Sequence, residues 1–532
     1  MKWRPGSLLL SLSMAVPLYA EEAASTAQPH EFHASNDVAV AHNTITGPGK
    51  ASSSLTEGLN FLETLNVYGN GKTAGGWDYN YAAGMKATDD RTMDPKTVSL
   101  TNLSGRATNG VHTLNLGDTF ESFSQYALAT SLKGGTYRYA KPNSRLPEII
   151  AVHGLAYPRW DSLWKDPDTR TIKRQGTGVR IKENIAQDLW AGASYVGTKD
   201  TDPLSPDDLL YDAKNYSFDF NAAPMPGLTM NGEYSMADAR ETTKQNTAKG
   251  HAARFEIVGD ADPSRVSLEY ENVEPDFFSA LGSATPDRQK AKGKWKYKAT
   301  NRVTVNSSLL WFRDNLDGQK AAGTTQNWKP ELSVGIKKPF ASRPRSHADL
   351  GYRFDRRYGA GTSTMDHYLT ANYRDRHGAV DSDTNLGYTL YETKTNVRDA
   401  SEMTFNTSLN SRHSLASVVL KPSLKLGAWQ AQDDLADATD TVYDYSLGLG
   451  LEAPNANVTG DLRFGQNKLK KEKADDSDKM FATLAAYWRP KLLAKLNEST
   501  LYLRANYNDF SFTTDTRNFR EKSVTAGLIT SF

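Results

Sequence analysis

The stretch Gln289–Thr300 reads QKAKGKWKYKAT and sets a lysine at every second position: Lys290, Lys292, Lys294, Lys296 and Lys298. Between them stand Ala291, Gly293, Trp295 and Tyr297. On a helix these lysines would spread around the axis and repel one another at close range. On a strand, whose successive side chains point to opposite faces, they form one charged row backed by one apolar row. The spacing predicts a strand with water on one side and an apolar medium on the other.

The same two-sided pattern recurs along the chain. Arg265–Glu271 puts Glu269 and Glu271 on its polar face, and Arg254 and Glu256 do the same one segment earlier. Tyr216, Phe218, Phe220 and Ala222 oppose Ser217, Asp219 and Asn221. Ala348, Leu350, Tyr352 and Phe354 oppose His347, Asp349, Gly351, Arg353 and Asp355. Nineteen strand-like segments run from Val179 onward and about five precede them, separated by turns rich in Asp, Asn, Gly, Pro and Lys.

Soluble sandwiches alternate too, so the choice of medium rests on other features. The segments run about ten residues, enough to cross a bilayer when tilted. Aromatic residues recur near segment ends, with Trp295, Tyr297, Trp311, Trp488 and Tyr507 placed as the girdles of a membrane barrel would be. A long antiparallel sheet in lipid must close on itself, because an open edge would leave backbone groups unsatisfied. The expected fold is all-β: a single large antiparallel transmembrane β-barrel over residues 59–532, with about 24 strands and a range of roughly 20 to 26. So wide a lumen carries water unless plugged. Candidate plugs are the N-terminal segment, Gly117–Leu132 and long inward-folded loops.

Composition narrows the partners. Of 532 residues 23% are charged, yet the net charge is only +1, so no basic excess exists to neutralise nucleic-acid phosphates. Cysteine is absent, which removes disulfides, thiolate metal sites and covalent c-type haem attachment within this chain. Lys2 and Arg4 precede the apolar run Leu8–Leu18 and then Tyr19-Ala20-Glu21, the order of a secretory signal peptide over residues 1–20. Beyond it no apolar run approaches the ~18 residues of a transmembrane helix. Residues 21–58, rich in Ala, Ser, Thr, Gly and His, read as a flexible periplasmic segment. Its His30, His33 and His42 lack spaced acidic partners, so no metal is expected.

The chain ends with Val524, Ala526, Leu528, Thr530 and Phe532 at alternate positions. This resembles the C-terminal strand of Gram-negative outer-membrane β-barrel proteins of porin-like architecture. In that family the terminal aromatic, here Phe532, belongs to the barrel-assembly signal; Thr530 stands where a Tyr or a bulky apolar residue is common. The resemblance implies the cell outer membrane as location, with its lipid and the barrel-assembly machinery as partners. Gly117-Asp118-Thr119-Phe120 through Leu132-Lys133-Gly134-Gly135 is similar, over a short stretch, to a GD…F…RG pattern of fimbrial ushers.

No GxSxG, HExxH or P-loop appears in a fitting context, so neither an enzyme nor a cofactor is expected. The leading expectation is a porin-like channel for small hydrophilic solutes. The alternatives are a barrel sheath around a periplasmic multihaem cytochrome, or an export channel for polymer or protein. Pore-lining candidates are Lys290, Lys292, Lys294, Lys296, Lys298, Glu269, Glu271, Arg254 and Arg353. They could form a filter for anions, or a self-neutralising wall in which opposed charges pair across strands.

Overall fold

The computed structural model describes residues 30–144, 146–164, 171–242, 245–393, 399–492 and 499–531. Residues 1–20, where a signal peptide is expected, and Phe532 lie outside them. Among the described residues 26 strands form one antiparallel sheet. The first nine are β1 (Glu31–Thr46), β2 (Gly58–Lys72), β3 (Asp78–Thr88), β4 (Val98–Thr108), β5 (His112–Phe120), β6 (Ser131–Tyr139), β7 (Glu148–Leu155), β8 (Lys173–Ala186) and β9 (Leu189–Thr201). The next eight are β10 (Tyr211–Met225), β11 (Leu228–Glu241), β12 (Thr247–Ala261), β13 (Ser264–Val273), β14 (Arg288–Lys298), β15 (Val303–Arg313), β16 (Thr325–Lys337) and β17 (His347–Gly359). The rest are β18 (Thr362–His377), β19 (Val380–Thr393), β20 (Ala400–Ser411, continued by His413–Leu415), β21 (Val418–Asp433), β22 (Ala438–Ala453), β23 (Val458–Lys471), β24 (Ser477–Trp488), β25 (Thr500–Phe512) and β26 (Phe519–Ser531).

Each strand pairs with the next, and β1 pairs with β26 from Ser35↔Ser531 to Thr46↔Arg520, so the sheet closes into a barrel. Closure is what the medium demands: it removes the edge whose N–H and C=O groups lipid cannot satisfy. The outward face carries the large exposed apolar residues, among them Phe218, Leu268, Leu350, Leu447 and Leu503. The opposite face carries Ser217, Asp219, Asp349, Ser446 and Arg504. An even strand number returns both ends of the sheet to one rim. That rim has two-residue turns at 187–188, 226–227, 262–263 and 378–379, whereas longer loops such as 47–57, 121–130 and 274–287 leave the other rim.

Two strands exceed the expected set, and each has a physical reason for escaping it. Residues 21–58 were expected to be a flexible segment; instead Glu31–Thr46 is the strand that seals the barrel. Its outward row includes Asn36 and His42, too polar for a clear apolar stripe, and Asn36 donates to Glu63 at 3.2 Å. In β4 the register shifts between Gly84 and Met85 of its neighbour, so the period-2 alternation is broken mid-strand.

The buried core lies inside the barrel, where the 121–130 and 274–287 loops fold against the wall. Phe123, Ala127 and Leu128 pack with Leu132, Ile150, Val152, Val196 and Leu281. Tyr126 packs with Ala237, Ala252, Val273 and Phe277. Burying large side chains such as Tyr126 and Phe277 contributes about 1.5–3 kcal/mol each.

Candidate functional site

The lumen wall of β8–β14 carries a charge network. Arg180 on β8 grips Asp219 on β10 with two bonds of 2.8 Å, both residues nearly buried. Arg254 on β12 reaches Glu256 at 3.2 Å and, across the strand pair, Glu269 at 3.4 Å. Lys290 on β14 bonds Glu269 at 2.9 Å and also Glu271, whose side chain is almost wholly buried. The β13–β14 register explains this, because Glu269 sits opposite Lys292 and Glu271 opposite Lys290. Opposed opposite charges of this kind stabilise a sheet modestly, by roughly 0.2–1 kcal/mol per pair.

The lysine row divides into two kinds. Lys290 is neutralised by its two glutamates, and Lys298, at the turn rim, pairs with Asp262 at 2.6 Å. Lys292, Lys294 and Lys296 have no acidic partner among the described residues. Across the next strand pair they face Leu310, Ser308 and Asn306. Arg353 lies on the same inner surface of β17, exposed, with its guanidinium 3.9 Å from the Tyr368 ring. The candidates named from sequence thus fall on the lumen face in four places: a paired cluster at Arg254, Glu269, Glu271 and Lys290, the bare row Lys292, Lys294 and Lys296, Lys298 at the turn rim, and Arg353 several strands away.

The aromatic candidates lie on the outward surface. Trp295 stacks on Tyr297 with ring centres 5.4 Å apart and donates to Ser264 at 2.8 Å beside the turn rim. Trp488 lies at that same rim, 48% exposed. Trp311 sits towards the loop rim beside Trp328, and Tyr507 bonds Asp509 at 3.1 Å.

Single-strand periodicity could not reveal how the two loops are anchored. Glu233 on β11 accepts the backbone N–H groups of Gln125 and Tyr126 at 3.0 and 2.9 Å. The hydroxyls of Ser124 and Ser217 lie 2.9 Å apart. The loops hold each other through Ala129 N–H to Leu281 O at 2.9 Å and Ser283 N–H to Gln125 O at 2.7 Å. Asn215 on β10 donates to Phe278 O at 2.9 Å. Small lumen-side residues make room for them. A Cβ at Gly250 would overlap the backbone of Phe277, and one at Gly178 would press into the Phe123 ring. The only sequence clue was the non-repeating, Gly-flanked stretch Gly117–Leu132, and the inward fold falls at 121–130 within it.

Beside the 121–130 loop a polar cleft of about 310 Å³ is lined by Asn80, Arg106, Thr113, Asn115, Glu121 and Arg138. Burial pushes the Glu121 carboxyl above its ordinary range, although Arg138 nearby opposes the rise. Among the described residues no three His, Asp or Glu side chains gather as a metal site.

The molecule is a closed antiparallel β-barrel of 26 strands with an apolar outward face. No protein-family model and no curated protein sequence matches the chain. Its fold is similar to solved outer-membrane barrels. The P pilus usher (PapC) translocation pore aligns at 10% identity and TM-score 0.36, covering 94% of this chain and 99% of that one. Pseudomonas aeruginosa OccK3 (OpdO) aligns at 12% identity and TM-score 0.36, covering 68% and 96%. The outer membrane transporter YddB from Escherichia coli aligns at 8% identity and TM-score 0.45, covering 94% and 80%. At such identities and scores these likenesses assign the chain no substrate.

Proposed function

We propose that this protein is an outer-membrane channel for small hydrophilic solutes, with a preference for anions. The observation that carries the reading is the unpaired row Lys292, Lys294 and Lys296 on a lumen wall where Arg180, Arg254 and Lys290 each hold a carboxylate partner. A run of fixed positive charge along a wet wall raises the local concentration of anions and lowers that of cations. The inward loops narrow the lumen along β6–β13, while lumen residues such as Glu331 and Arg353 on the adjoining wall and Asp461 and Arg463 on the opposite one stay exposed. Short turns at one rim and long loops at the other support placing the turn rim in the periplasm. Export by the 1–20 signal peptide and insertion by the barrel-assembly machinery belong to the same reading, and no catalytic step is part of it. Reconstitution in a planar bilayer tests it: a conducting pore whose reversal potential favours anions is expected. A closed or unselective barrel overturns it.

A second reading is favoured by size. At a strand spacing of ~4.8 Å and a tilt of ~40°, 26 strands in a circle enclose a backbone cylinder about 50 Å across. That is far wider than a small solute needs and wide enough to sheathe another protein, such as a periplasmic multihaem cytochrome, or to export a polymer. A sheath would give little open-channel current when its occupant is bound, and a large current once the occupant is removed.

A further inference from the structure

On the outward wall, β13–β15 leave a shallow groove of about 430 Å³. Its floor is formed by Ala291 and Gly293, the small members of the row that alternates with the lysines. Leu268 and Tyr270 bank it on one side, Leu309 and Trp311 on the other. Nothing polar faces it from the outward row along its length, so its natural occupant is a hydrocarbon chain.

The groove ends towards the loop rim in a built polar edge. The Tyr270 hydroxyl accepts from Gln289, and Gln289 Oε1 accepts from Arg313 Nε at 2.6 Å. One strand further, Tyr358 donates to Gln326 at 2.7 Å, and the Arg356 guanidinium lies 5.2 Å from the Tyr358 ring. The registers Arg313↔Gln326 and Trp328↔Arg356 put both arginines around the Trp311–Trp328 pair. Both are exposed, and neither has an acidic partner among the described residues. Two uncompensated guanidiniums just beyond an aromatic girdle meet the membrane at the level of lipid headgroups, where a phosphate is their natural counter-ion.

We propose that this face binds a phosphorylated acyl lipid, one acyl chain lying over Ala291 and Gly293 and a headgroup phosphate held between Arg313 and Arg356. The inference rests on the membrane placement proposed above but not on conduction, so a barrel that binds the lipid yet passes no current sinks only the channel reading. Outer-membrane fractionation tests the placement separately.

The test is native mass spectrometry of the full-length barrel released from non-ionic detergent, titrated with diphosphoryl lipid A and with its dephosphorylated form. The wild type is expected to retain the phosphorylated lipid at least about tenfold more tightly. Arg313→Gln with Arg356→Gln removes that difference. Gly293→Leu fills the groove; an added Cβ meets only Leu268, at an ordinary 3.5 Å, so the barrel accommodates it. That variant is expected to weaken both lipids by a similar factor. Heat-modifiable migration on gels confirms that each variant is folded. Equal retention of both lipids by the wild type, or retention unchanged by the arginine pair or by Gly293→Leu in folded protein, overturns the proposal.

Discussion

Glu233 on the barrel wall holds the backbone N–H of Tyr126, at 2.9 Å, from inside the lumen. A single carboxylate thus fixes two consecutive amides of a loop that contributes no strand, since Gln125 donates to its other oxygen. Hydrogen bonds to a charged group contribute about 1.5–3 kcal/mol each. Glu233→Ala should therefore release the 121–130 loop without unfolding the barrel. Faster amide exchange confined to residues 121–130, with a larger single-channel current, is the expected outcome; unchanged exchange there would show that the apolar cluster alone holds the loop.

Gly250 tests the second loop by steric means. Because a Cβ at this position overlaps the Phe277 backbone, Gly250→Val should push the 274–287 loop off the wall. Displacing Phe277 and its packing against Tyr126 should cost about 2–4 kcal/mol, the range of a lost large core contact. A lowered urea midpoint together with higher conductance is expected, and a wild-type current in the folded variant would show that this loop does not limit the pore.

The lysine row makes an electrical prediction. Replacing Lys292, Lys294 and Lys296 with Glu inverts the charge of the unpaired stretch while leaving the Lys290–Glu269 bond in place. The reversal potential in a salt gradient should shift from anion towards cation preference by tens of millivolts, most strongly at low salt where screening is weak. The same variant of Lys290 and Lys298 alone should shift it far less.

At the loop rim, Arg159 binds Asp94 at 2.9 Å, Ser99 at 2.8 Å and Asp161 at 2.7 Å. Burial works against ionisation of Asp94, yet the Lys96 amide and the Arg159 guanidinium hold its carboxyl below the ordinary value of 3.8. A depressed folded value stabilises the loop at every pH above the ordinary one, and that support is lost as pH falls through the depressed value. Proteolysis within 156–164 should therefore stay flat from neutral pH down to about pH 4 and rise only below it. Asp94→Asn should show the raised rate already at neutral pH.

How far the sequence reaches is clear from particular strands. Every segment with unbroken alternation, Gln289–Thr300 foremost, became a strand with its charged row inward. Barrel chemistry writes itself into period 2 because each strand meets water and lipid at once. The failures came where that rule is suspended. β4 carries a register shift, and β1 offsets its polar outward Asn36 by a bond to Glu63 rather than by apolar side chains. The anchoring of Tyr126 by Glu233 was illegible for a different reason, since the two lie 107 residues apart and no spacing links them. Within the lysine row, the separation of neutralised Lys290 from bare Lys294 depends on which strand lies beside it, which only the register supplies.

The seam of the barrel has one more implication. Ser531 lies opposite Ser35 in a ladder no different from its neighbours, so the wall has no structural beginning. It is a ring with a nick, and the nick is movable. Bridging it with a short linker and opening the chain at an exposed turn such as 360–361, between β17 and β18, should give the same cylinder with its ends at the opposite mouth. Such a permuted chain would separate the order in which strands are made from the order in which they must meet.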